Sequence, residues 1–354
     1  MNIVYSILIS LISLTAFAAP TFKSANPDLN GLYPTNAKDL CSTARETLAY
    51  LDQGAQFDPV AIQDGKVFSV PMARIKATLR FICEHQKELN DPTFLKEHFD
   101  FVQWLPDVRH AKTYTTKPLI ANIPSDKILM TKYYVHLAKG SMDPSTKTPY
   151  PMYALPNDEA KLSFDEAKAH PELTRFKYGK QAILKGALKE ENVPILVYFS
   201  RDDLESALLQ GTVVAEFKGS NTRWTYNVDR SNEIPYDRTK SPYQQERYWY
   251  FKQVNGVKGY GIDADHKITV NLECTFAGDI EQLGLGKLLM VEYKDAKGIQ
   301  IHKLGILADT GGAFADNLFQ IDYLSGVYPN KETCYRENKN IPDYVSAYFM
   351  VLKK

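Results

Sequence analysis

The period of the hydrophobic pattern changes once along the chain, and that switch limits the folds open to it. Leu40, Ala44, Leu48 and Leu51 recur at helical spacing after Asn36, and Ile75, Leu79, Ile82, Cys83 and Leu89 do so after Pro71. From Lys127 the pattern turns to β-branched and aromatic residues: 127–136 reads as a strand that ends before the turn-rich stretch 139–149. A separate unit follows, with short strands at 194–200 and 212–218, a helix near 202–209, and 227–245 as a polar loop or linker. The remainder is strand-rich, with strands expected at 248–254, 267–272, 287–293, 299–308, 316–323 and 344–352. Helices first, a distinct middle unit and then many strands predict a mainly β protein: a β-barrel domain formed from both chain ends with an insertion between.

Charge narrows the partners. The 354 residues carry 42 Lys plus Arg and 42 Asp plus Glu, so the chain lacks the basic excess that grips polyphosphates, and no nucleic-acid partner is expected. The 22 Tyr and 17 Phe against 3 Trp suit stacking on sugars or peptides as well as filling strands. The first twenty residues hold an apolar run from Ile7 to Leu14 and a small-x-small site at Ala16-Phe17-Ala18, read as a signal peptide over 1–18 although Lys and Arg are missing before the run. No lipid-anchoring cysteine follows that site, and no later stretch reaches about 18 uninterrupted apolar residues. An exported protein is expected, periplasmic or secreted, without a lipid anchor or membrane span.

Four cysteines, Cys41, Cys83, Cys274 and Cys334, allow three pairings. Cys41 with Cys83 and Cys274 with Cys334 is the preferred pattern because each pair lies within one half of the chain; buried free thiols are the alternative. With no CxxC or HExxH spacing, no metal site is expected.

The segment 302–313 is the most informative for chemistry. It places Asp309 at the end of an apolar strand, followed by Thr310, Gly311 and Gly312. Partial desolvation there raises a carboxyl's pKa toward the range of a general acid, and two glycines permit φ > 0 and leave room for a ligand. A turn with an Asx cap accounts for the same residues equally well. An aspartic protease would need a second such carboxylate, and a conventional glycosidase a second acid; Asp279, Asp316 and Asp322 are candidates for company, each more often a solvated or capping residue.

Several segments, in order along the chain, resemble the membrane-bound lytic transglycosylase A (MltA) family. Met130-Thr131-Lys132-Tyr133-Tyr134 is similar to its Phe-Thr-Gly-Tyr-Tyr strand, and Thr148 to Tyr153 to its Tyr-Pro-x-Tyr segment. Leu209-Gln210-Gly211-Thr212 resembles Gln-Gly-Ser-Gly, Tyr250-Phe251-Lys252 resembles Phe-Phe-Lys, and Ala277-Gly278-Asp279 with Gly286 resembles the Ala-x-Asp turn. Ala308 to Phe314 resembles Asp-x-Gly-Gly-Ala-Ile, with Asp322 and Gly326 following in place.

The resemblance implies a double-psi β-barrel from 19–135 and 246–354, with a smaller β-rich domain inserted over 136–245. It implies a monomer without cofactor, acting on peptidoglycan strands. The family cleaves the β-1,4 bond from N-acetylmuramic acid to N-acetylglucosamine without water, leaving a 1,6-anhydromuramoyl end, with one aspartate as acid and base; the matching residue is Asp309. By the same likeness Thr131, Tyr133, Gln210, Lys252, Gly311 and Gly312 would contact substrate, and Asp279 and Asp322 would support the catalytic carboxyl. The chain departs from the family pattern at Lys132, which stands for glycine, at Thr212-Val213, which stand for Ser-Gly, and after Trp224, where a Tyr-Ala-Gly-Lys run is missing. Lys132 and Lys252 are expected as local cations in the groove, and Lys132 and Val213 as residues that narrow or re-aim it. The rival expectation is a non-catalytic, expansin-like glycan-binding or wall-loosening module; an aspartic protease ranks third.

Overall fold

The computed structural model describes residues 20–354 apart from 190 and 192, so the expected leader, with its cleavage after Ala18, lies outside the described residues. Asn36 starts the first long helix, Ala37–Leu51, its side chain accepting the N–H groups of Lys38 and Asp39. A second helix, Met72–Glu84, follows Pro71 and buries Ile75, Thr78, Leu79 and Ile82. The two are joined by a Cys41–Cys83 disulfide.

Among the described residues the strands are β1 (Thr21–Ala25), β2 (Phe99–Leu105), β3 (Ile128–Gly140), β4 (Tyr150–Tyr153), β5 (Ile195–Phe199), β6 (Thr212–Phe217), β7 (Arg223–Ser231), β8 (Trp249–Val254), β9 (Thr275–Ala277), β10 (Leu288–Lys294), β11 (Gln300–Asp309), β12 (Gln320–Tyr328) and β13 (Tyr344–Leu352). Six of them pair in a closed ring: β3 with β12, β12 with β9, β9 with β11, β11 with β10, β10 with β13, and β13 back to β3. The β3–β12 and β9–β11 pairs are parallel and the others antiparallel. On one side β13 continues into β2 and β1.

The thirteen-residue β3 serves two sheet regions. Its first half closes the ring, while His136–Gly140 pairs with β6, which leads to β7 and β8. Each region has its own apolar core. Ile128, Met130, Phe276, Leu289, Ile306 and Ile321 lie in the ring core, which also takes up both long helices. Ala138, Met152, Phe199, Leu204, Val213 and Phe251 form a second core with the helix Arg201–Gln210 and the β4–β5 pair. Truncating a ring residue such as Leu289 or Ile306 to Ala costs about 2–5 kcal/mol, because the transfer term and a residual cavity add. Gly286, at φ 84° in the turn before β10, lets the helices approach: a β-carbon there would lie 2.8 Å from Leu51 Cδ1 and 3.2 Å from Ile75 Cγ2.

Several expectations are corrected. Cys274 and Cys334 are not bonded to each other. Cys274 Sγ lies 3.6 Å from Thr43 Oγ1 against the first helix, whereas Cys334, on the helix Lys331–Glu337, lies 3.5 Å from Ser325 Oγ of β12. Residues 267–272 are not a strand; Lys258 and Thr269 form an isolated bridge, Asn271 bonds Thr43 of the first helix, and Glu273 at φ 61° turns the chain before β9. β7 runs through Ser231 into the expected linker, because β8 pairs with Asn227, Val228 and Ser231 and β6 with Asn227, which satisfies backbone groups there despite the polar side chains. β12 starts at Gln320 rather than Asp316, which sits in a turn at φ 53°.

Candidate active site

Asp309 ends β11, whose preceding residues Leu304 to Ala308 are buried. The β9–β11 register shifts between Leu307 and Asp309, a bulge that changes where the strand end points. Ala308 carbonyl oxygen then accepts from Tyr260 N–H at 3.0 Å, and Asp309 carbonyl oxygen from Gly278 N–H at 3.2 Å. The partly buried Asp309 carboxyl accepts Tyr133 Oη–H at Oδ2, 2.7 Å, and Thr310 N–H at Oδ1, 2.8 Å. Thr310 Oγ1 in turn donates to Gly278 carbonyl oxygen at 2.7 Å.

Register places a second carboxylate beside the first. Ala277 of β9 is the partner of both Asp309 on β11 and Asp322 on β12, and Asp322 is the partner of Thr131 on β3. Asp309, Ala277, Asp322 and Thr131 therefore form one row across four strands, with the two aspartates two strand spacings apart, about 10 Å between backbones. Thr131 and Tyr133, two apart on β3, share a face. Thr131 Oγ1 accepts from Gln320 Nε2 at 2.6 Å and donates to Ile321 carbonyl oxygen at 3.3 Å.

The electrostatics follow from this packing. Desolvation pushes the Asp309 carboxyl from its ordinary 3.8 to about 6; bonds from Tyr133 and Thr310 and the charge of Lys267 act downward, and Asp322 acts upward. Burial also raises Asp322, opposed by the Thr131 hydroxyl and by Lys132. Tyr133 is held far above the ordinary tyrosine range by burial and by Asp309, so it stays a hydrogen-bond donor.

The remaining expected residues lie elsewhere around this row. Asp279 is 4% exposed and caps the short helix Ile280–Leu283, accepting from Gln282 N–H at 3.1 Å; burial raises its pKa. Gln210 ends the helix Arg201–Gln210, and its side chain bonds Tyr134, which alternates to the face opposite Tyr133. Lys252, on β8, donates from Nζ to Asp265 Oδ1 at 2.5 Å. Gly311 and Gly312 are exposed beyond Asp309, and neither adopts positive φ. A β-carbon on Gly312 would meet nothing within 4 Å, so these glycines leave space at the carboxyl rather than permit a strained turn.

The side chains of the two substitutions expected to alter the groove are engaged by other parts of the protein. Lys132 alternates away from Thr131 and Tyr133, and Nζ donates to Pro342 carbonyl oxygen at 3.0 Å and Asp343 Oδ1 at 2.9 Å. Val213 is fully buried in the second core. Sequence reasoning missed Lys267, whose charge acts on Asp309, and the residues that surround Lys267 itself: Asn227, which accepts from its Nζ, and Asp229, whose charge attracts it. Among the described residues no group of three or more His, Cys, Asp or Glu is placed to hold a metal ion, and no helix is long and apolar enough to cross a membrane.

No protein-family model matches the chain, and no curated protein matches it in sequence. Solved structures do match in fold. A membrane-bound lytic murein transglycosylase from Agrobacterium tumefaciens superposes with a TM-score of 0.61 at 14% identity, covering 94% of this chain and 97% of that one. MltA from Neisseria gonorrhoeae gives 0.60 at 16% identity, with 95% of each chain covered. MltA from Escherichia coli with bound chitohexaose gives 0.59 at 16% identity, covering 94% and 95%. At these identities the likeness establishes the fold: the chain is mainly β and folds as MltA lytic transglycosylases do.

Proposed function

We propose that this chain is a peptidoglycan lytic transglycosylase with Asp309 as its single acid and base. The observation that carries the reading is the Asp309 carboxyl itself: desolvated at a strand end, held by Tyr133 and Thr310, raised to about 6, and open toward two glycines, on an MltA-like fold. A carboxyl titrating near neutrality exists in both forms the reaction needs. Protonated, it gives its proton to the glycosidic oxygen as that oxygen leaves C1 of N-acetylmuramic acid. Ionised, it then takes the proton of the C6 hydroxyl as that oxygen bonds C1. No water is consumed, and the enzyme returns to its protonated state. The nucleophile is intramolecular, so no second carboxyl has to hold a water, and proximity replaces that role.

On this reading the six-strand ring is the family's double-psi barrel, built from 19–135 and 246–354, and 136–245 is the inserted domain. Thr131, Tyr133, Lys252, Gly311 and Gly312 contact glycan, Asp322 assists Asp309 by repulsion, and Asp279 and Gln210 support the walls. The protein acts as an exported monomer on periplasmic peptidoglycan. Lys132 is bonded to Asp343 and Val213 is buried in the second core, so neither substitution argues for the non-catalytic glycan-binding module.

The test is digestion of purified peptidoglycan, with the soluble muropeptides analysed by mass spectrometry. Anhydromuramoyl ends are expected from the wild type and not from a folded Asp309→Asn variant. Binding without release of fragments at any pH would overturn catalysis and leave the binding module.

A further inference from the structure

Lys267 lies between β8 and β9, in a segment whose backbone is linked to the end of β11 while its side chain reaches β7. Its backbone neighbour Ile268 donates N–H to Tyr260 carbonyl oxygen at 2.8 Å, and Tyr260 N–H donates to Ala308 carbonyl oxygen, one residue before Asp309. The side chain crosses to β7, where Nζ donates to Asn227 Oδ1 at 2.5 Å and to Val228 carbonyl oxygen at 3.0 Å. Both anchors are themselves held. Asn227 Nδ2 donates to Gly211 carbonyl oxygen and Thr212 Oγ1, at 3.1 and 2.7 Å. Tyr260 Oη donates to Asp58 Oδ2 at 2.8 Å, an oxygen that also accepts Tyr50 Oη–H at 2.7 Å.

Both acceptors of Lys267 are neutral oxygens, so hydrogen bonding fixes the ammonium without cancelling its charge. The charges that act on it are Asp309, Asp229 and Asp263, which attract, and Lys252, which repels and is itself bonded to Asp265. Asp309 is faced by Tyr133 from β3, Asp322 from β12 and Lys267 from this segment. Burial and Lys252 push the Lys267 ammonium down to about 8, which leaves it charged where Asp309 titrates.

We propose that Lys267 is a positioning residue for Asp309: a cation fixed against β7, in a segment hydrogen-bonded through Tyr260 to the end of β11, that stabilises the ionised carboxylate needed to take the C6 proton. The proposal rests on the acid and base reading of Asp309. It assigns the β7 wall an electrostatic task, because displacing Asn227 or Val228 moves the charge that Asp309 experiences. A structural tether alone would hold the wall equally well with a neutral donor.

The test uses Lys267→Gln, which keeps a donor for Asn227, together with Lys267→Met and Lys267→Arg, in the full chain. Two readouts are taken: carbon-13 NMR titration of the Asp309 carboxyl, assigned by its loss in Asp309→Asn, and the pH profile of anhydromuropeptide release. Removing an attractive charge raises the carboxyl pKa, so both neutral variants shift the Asp309 midpoint and the alkaline limb upward, by roughly 0.5–1 pH unit, and Lys267→Arg restores them. An unmoved midpoint in either folded neutral variant overturns the proposal, whatever the activity. A shifted midpoint in a protein that releases no anhydromuropeptides supports the electrostatic coupling while sinking the transglycosylase reading, so the two failures are separable.

Discussion

Replacing Asp309 with Asn should make the protein more stable at neutral pH while abolishing the proposed activity. Burial raises this carboxyl from its ordinary 3.8 to about 6 in the folded state. Between those values the unfolded chain loses its proton first, so folding stability falls as pH rises through the window and stays reduced above it. A span of about 2 pH units at about 1.4 kcal/mol each gives a cost on the order of 3 kcal/mol at pH 7. Asn has nearly the same shape, cannot ionise, and can still accept one of the bonds that Tyr133 and Thr310 N–H now make. The lost bond offsets about 1 kcal/mol, which leaves a net stabilisation of about 1–2 kcal/mol. Urea unfolding of both proteins at pH 7.5 and near pH 3.5 measures it. The variant should have the higher midpoint at the first pH and lose most of that advantage at the second, where wild-type Asp309 is protonated in the folded state and largely protonated in the unfolded one. An Asn variant no more stable at pH 7.5, or one whose advantage does not change with pH, would refute the claim that desolvation dominates at this carboxyl.

Two further outcomes follow from named contacts. Tyr133→Phe removes the donor at Asp309 Oδ2, and a hydrogen bond to an ionised carboxylate is worth about 1.5–3 kcal/mol. The Asp309 midpoint should rise by about 1 pH unit, carrying the alkaline limb of activity with it, and an unmoved NMR titration would contradict the bond. Thiol titration of the unfolded, unreduced protein should find Cys274 and Cys334 free but not Cys41 and Cys83. Replacing Cys41 and Cys83 with Ser releases a crosslink spanning 42 residues and should cost about 2–4 kcal/mol in denaturant unfolding, a loss that equal midpoints would disprove.

What could be read from the sequence was local. A carboxylate at the end of the apolar run from Leu304 to Ala308, with two glycines after it, is visible in a dozen residues, and so are the two helices with their apolar stripes. The row that joins Asp309 to Asp322 and Thr131 depends on strand register across parallel and antiparallel pairs, which no short pattern encodes. β7 was hidden because Asn227, Asp229 and Arg230 look like loop residues, yet Asn227 pairs with Lys252 of β8 and bonds Gly211, and Arg230 bonds Glu159. Lys267 carried no signal, since its link to Asp309 runs through Ile268, Tyr260 and Ala308 and its other anchor is on β7. The cysteine expectation failed for Cys274 and Cys334 because nearness along the chain does not decide packing: one thiol lies against Thr43 of the first helix and the other against Ser325 of β12.

The central claim is that the bond breaks without water, and isotope labelling tests it most directly. Peptidoglycan digested by the wild-type protein in heavy-oxygen water should give muropeptides that are lighter by one water than hydrolytic products and carry no label at C1. Labelled reducing ends would contradict the account, because they would mean that water, and not the C6 hydroxyl, attacks the carbon opposite Asp309.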